Sequence, residues 1–140
     1  MGADPASGGG LVAERLQAAM NAHDIDAFVG CFDAEYRSDQ PVHPDRAFQG
    51  RDQVRQSWPA IFDGVPDFRA ELLRATADGD IEWSEWRWRG TQSDGEALDM
   101  AGVVVVGVDG RLQWAHLYVE PVEAGGAGID SAVRDMVGDR

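Results

Sequence analysis

The sequence predicts an α+β roll, in which helices from the first half of the chain cover one face of an antiparallel sheet built from the second half. Three observations predict it. Apolar residues recur at three-to-four spacing as far as Phe62, the period changes to two from Phe68 onward, and glycine-bearing turns separate the period-two segments. Strands joined in succession by short turns form a meander, and helices with apolar stripes must bury them against one of its faces.

Leu11, Val12, Leu16, Ala19 and Met20 mark a first helix that stops near Asn21-Ala22-His23. Asp24 is placed to cap a short second helix whose face carries Ile25, Phe28, Val29 and Phe32. Cys31, the single cysteine, sits in that apolar phase and reads as a buried thiol. A short strand over Tyr36 to Gln40 ends at Pro41, and Gly50 leads into a third helix carrying Val54, Trp58, Ile61 and Phe62. Pro59 lacks an amide donor, so a kink or restart is expected near Trp58.

Four strands follow, over Phe68 to Ala77, Ile81 to Gly90, Leu98 to Val108 and Arg111 to Val122. Asp78-Gly79 and Asp109-Gly110 are signals for two-residue type I′ turns, and Ser93-Asp94-Gly95 for a looser one. The expected organisation is a small, glycine-rich start over 1–10, a folded unit over 11–123, and a glycine-rich linker with a short helix or tail over 124–140. In the last segment Ile129, Val133, Met136 and Val137 follow helical spacing, which suits a docked lid, a dimer clasp or a frayed tail.

Twelve arginines against 25 acidic residues give a net charge of −13, which repels nucleic-acid phosphates and anionic lipid alike. No apolar run has the roughly 20 residues needed to span a bilayer, and the first ten residues lack the pattern of a signal peptide. The expectation is a cytoplasmic protein without nucleic-acid or membrane partners. His23, His43 and His116 are scattered and the glycines form no phosphate-binding pattern, so neither a metal nor a cofactor is predicted.

The stretch from Ala19 through Asn21-Ala22-His23-Asp24 to Phe28, then Gly50-Arg51-Asp52-Gln53-Val54, then Leu117-Tyr118-Val119-Glu120, resembles the SnoaL-like and ketosteroid-isomerase-like members of the nuclear transport factor 2-like superfamily. The resemblance covers about 11–123 and implies a cone-shaped roll enclosing a small-molecule pocket. Laid on this chain, the ketosteroid-isomerase triad falls on Leu16 for its tyrosine, Gln40 for its base and near Val104 for its second acid, so that triad is absent. The SnoaL-like cyclases use an acid at the end of the last strand, and Glu120 occupies that position one carbon longer than the family's aspartate.

Alternation on the last strand puts Trp114, His116, Tyr118 and Glu120 on one face. That face is either a pocket wall, with Glu120 as base and His116 and Tyr118 polarising a substrate, or the packing surface of a subunit interface. Tyr36 and Gln40 share a face of the short strand, His43 lies in the loop expected at the pocket mouth, and Trp58 lies on the third helix. On the Ile81 to Gly90 strand, Trp83 and Glu85 oppose Trp86 and Trp88, and Glu85 with Arg87 reads as a ligand-orienting pair or as a cross-strand network. Two tryptophan-rich faces on one strand imply cover on both sides, hence a homodimer. Two functions fit: an acid/base isomerase or cyclase acting on a hydrophobic ring-bearing molecule, or a non-catalytic binding domain for an apolar small molecule.

Overall fold

A computed structural model describes residues 10–138. Helices α1 (Val12–Ala22) and α2 (Ile25–Val29) lead into strand β1 (Phe32–Asp39). After a 3₁₀ turn at Pro44–Arg46 come β2 (Phe48–Gln49), α3 (Arg51–Gly64), β3 (Arg69–Asp78), β4 (Ile81–Thr91), β5 (Ala97–Asp109), β6 (Arg111–Pro121) and α4 (Ile129–Val137). The six strands form one sheet in the order β2-β1-β6-β5-β4-β3. Its pairs are antiparallel except β1 with β6, which is parallel. Helices α1, α2 and α3 cover one face of this curved sheet, giving the cone-shaped α+β roll.

Leu11, at the entry to α1, has no side-chain oxygen to cap the first free amides. Glu82 on β4 supplies one instead: its carboxylate is buried and accepts from Val12 N at 2.8 Å and Ala13 N at 3.2 Å. Farther along α1, Gln17 and Asn21 bond the free edge of β3, accepting from Leu72 N at 2.6 Å and Ala70 N at 2.7 Å. The helix ends where His23 turns left-handed and its Nε2 donates to Phe68 O at 2.9 Å. Asp24 caps α2 as expected, accepting from Ala27 N at 3.0 Å.

Several local expectations change. Phe32 opens β1 and is not part of α2, because the helix stops at Gly30 and the strand begins four residues earlier than Tyr36. Helix α3 runs through Pro59 without a break. The β3–β4 turn consists of Gly79-Asp80, with positive φ at Gly79 alone, and Gly110 stands alone between paired Asp109 and Arg111, so neither turn is type I′. At Gly107, where the β5–β6 register shifts, a Cβ would collide with the Trp114 indole, which lies across it.

The register fixes which side chains share a face. Trp88 pairs with Met100, Trp86 with Gly102, Ser84 with Val104 and Glu82 with Val106, and across β5 Val104 pairs with Leu117 and Val106 with Ala115. This is the face under the helices, and Trp86, Val104, Val106, Ala115 and Val119 are buried in the main core. The other set, with Trp83, Glu85, Arg87, Val103, Val105, His116 and Tyr118, forms the outer face.

Candidate functional site

Between the helices and the inner face of the sheet lies a cavity of about 290 Å³. The helices contribute Leu16, Met20, Val54, Trp58 and Ile61, and the sheet contributes Trp86, Trp88, Val104, Ala115 and Leu117. An aromatic network frames this volume. Trp58 packs at 4.6 Å from Phe28 and 5.8 Å from Trp88, and Phe32 lies 4.7 Å from Tyr36.

Among the described residues no charged side chain lines the cavity; its polar character comes from Tyr36, Ser38, Gln40 and Ser57. The first three stand at i, i+2 and i+4 along and just beyond β1, so alternation aims all of them at the same wall. Tyr36 is 3% exposed and Ser38 4%. Burial pushes the Tyr36 phenol up to about 12, opposed by a hydrogen bond from Ser38, so the group stays protonated at any physiological pH. Gln40 is held from outside, where Arg46 Nη1 donates to its Oε1 at 2.9 Å. The Trp88 indole N–H is buried in this region without a hydrogen-bond partner.

The residues picked out in the sequence divide sharply. Tyr36, Gln40 and Trp58 line the cavity. Trp114, His116, Tyr118 and Glu120 do not, because they alternate with Ala115 and Leu117 and therefore project from the outer face. Glu120 is instead bonded to His43, whose Nε2 stands 3.0 Å from both carboxylate oxygens, and neither residue lines the cavity. Trp83 and Glu85 are also on the outer face; Trp83 is half exposed and Glu85 pairs with Arg74 at 2.8 Å. Arg87 bonds Asp99 through two contacts at 2.6 and 2.7 Å, a cross-strand network that leaves Glu85 no ligand-orienting partner there.

Sequence reasoning missed Ser57, Trp86 and Trp88 as wall residues. The usable signal was charge: on β4 the set Glu82, Ser84, Trp86, Trp88 carries one charge, whereas the opposite set carries three, Glu85, Arg87 and Arg89, which need solvent or partners. Leu16, Gln40 and Val104, onto which the resemblance places the isomerase triad, all line the cavity. The pocket is in the expected place and the ionisable groups are not.

Residues 13–116 match the family model of the SnoaL-like domain. The chain belongs to the SnoaL-like family. Comparison with curated proteins gives no match. Among solved structures it is similar to an epoxide hydrolase/cyclase-like enzyme, SalBIII, of pyran ring formation in the polyether salinomycin, at 17% identity over 78% of this chain and 88% of that one, TM-score 0.68. An LEH-like epoxide hydrolase of M. tuberculosis matches at 16% identity over 78% and 80%, TM-score 0.67. An NTF2-like protein of unknown function from Exiguobacterium sp. 255-15 matches at 16% identity over 81% and 100%, TM-score 0.65. At these identities the likeness establishes the fold, and this SnoaL-like chain's activity rests on its own residues. No helix among its described residues is long and apolar enough to cross a membrane.

Proposed function

We propose that this SnoaL-like domain is a binding protein for a small, neutral, largely apolar molecule held in the cavity, and that acid/base turnover by Glu120 is not its chemistry. The observation that carries the reading is the uncharged cavity wall, with Glu120 engaged by His43 on the opposite side of β6. A general base must come within hydrogen-bond reach of the proton it removes, and the described residues of the cavity wall offer no carboxylate or imidazole for that role. Tyr36, held protonated, is a donor and not a base.

An apolar enclosure of this size takes ligands by burying most of their surface, with a few polar groups setting orientation. At about 290 Å³ the cavity lies at the lower end of small-molecule sites, which suits a one- or two-ring compound. The test is titration with tetralin, a two-ring hydrocarbon, followed by quenching of tryptophan fluorescence. Saturable binding that is unchanged in Glu120→Gln is the expected result. Conversion of a candidate substrate, abolished by that substitution, would return the protein to the acid/base class.

A further inference from the structure

We infer that Gln40 and Tyr36 turn hydrogens toward the cavity, so that the ligand must turn an acceptor oxygen, such as a ketone, ester or ring ether, toward them. This rests on the reading of the cavity as a binding site and adds which chemistry it selects.

The polarity of Gln40 follows from what already occupies its oxygen. Arginine has donors only, so the Gln40 atom that faces Arg46 must be the amide oxygen, and the amide nitrogen is what remains for the cavity. A flipped amide would set two donors against each other. The Tyr36 phenol lines the cavity and burial keeps its proton in place, so it is a donor available to a ligand there. The indole of Trp88 can only donate, and it is buried without a partner. Within an otherwise apolar wall, such donors gain nothing from a hydrocarbon and lose their remaining hydration when one enters. An acceptor oxygen restores the bond. An ammonium group finds no carboxylate among the described wall residues to offset its lost hydration.

Arg46 is thus a positioning residue: it does not line the cavity, and it acts by fixing the orientation of Gln40. Tyr36 is the group expected to touch the ligand. The experiment compares dissociation constants of three probes of one shape, 2-tetralone, tetralin and 2-aminotetralin, by tryptophan quenching. For the unaltered protein the ketone should bind about tenfold more tightly than the hydrocarbon, and the amine more weakly than both. Tyr36→Phe should bring the ketone preference below about threefold while leaving tetralin affinity unchanged. Arg46→Ala should lower the same ratio without altering tetralin binding, and Arg46→Lys, which keeps a donor, should restore it. Equal binding of ketone and hydrocarbon by the unaltered protein would overturn the inference while the binding reading stands. An unchanged ratio in both Tyr36→Phe and Arg46→Ala would likewise overturn it. Failure of all three probes to bind would remove the binding reading and this inference together.

Discussion

His43 and Glu120, 77 residues apart in sequence, share a two-pronged contact of 3.0 Å that ties the loop after β1 to the last strand. Both side chains are partly solvent-exposed, 34% and 42%, so the pair is a surface latch and not a desolvated catalytic dyad. Exposed pairs of this kind contribute about 0–1 kcal/mol. Glu120→Gln should therefore change unfolding free energy by less than about 1 kcal/mol in urea titration, with no change in probe affinity. A loss of several kcal/mol would show that the latch carries more of the fold than its exposure implies.

Glu82 is the acid on which the fold depends. Its carboxylate is buried and replaces the missing cap of α1 by accepting from Val12 and Ala13. Glu82→Ala leaves two amides without their partner and should cost about 2 kcal/mol, at the upper end for loss of a helix cap. Equilibrium denaturation measures this directly, and a cost near that of Glu120→Gln would contradict the assignment.

Tyr36 gives a signature at high pH. Its folded-state value of about 12 lies above the ordinary 10.0, so the unfolded chain releases this proton first as pH rises. Its contribution is unaffected below about pH 10 and is lost between about 10 and 12, with a slope of about 1.4 kcal/mol per pH unit. Stability curves across that window should be flatter for Tyr36→Phe than for the unaltered protein. Identical slopes would mean that the phenol is hydrated.

The outer sheet face carries the bulky apolar groups that the monomer leaves uncovered, with Trp83 50% exposed and Tyr118 39%, on neighbouring rows beside Val103 and Val105. Helix α4 buries none of its residues, and Ile129 and Met136 remain 77% and 82% exposed. We expect a second copy to cover the outer face, giving about twice the 15.2 kDa chain mass by light scattering. Trp83→Asp should yield a monomer. Removal of residues after Glu123 should weaken the dimer if α4 is a clasp, without changing probe affinity, because no α4 residue lines the cavity. A monomer at high micromolar concentration would contradict the expected dimer.

The hydrophobic periods made the helices and the four long strands legible, and Asp24 announced its own helix. What could not be read was the side of β6 that faces inward. The residue types on the Trp114 to Glu120 set look functional, yet those side chains tolerate water or partners, whereas Ala115 and Leu117 are the ones an apolar cavity needs. The parallel pairing of β1 with β6 was equally hidden, because it joins residues far apart in sequence, such as Ser38 and Ala115. Arg46 left no sequence signal of its role, which exists only once the loop folds back toward Gln40.

The most direct test of the cavity as the ligand site uses the five tryptophans as reporters, three of them on the cavity wall and two on the outer face. In a ¹H–¹⁵N spectrum of the labelled protein titrated with 2-tetralone, the indole signals of Trp58, Trp86 and Trp88 should move together and saturably, while those of Trp83 and Trp114 stay in place. Shifts confined to Trp83 and Trp114 would place the ligand on the outer face with His116 and Glu120, and would contradict the account.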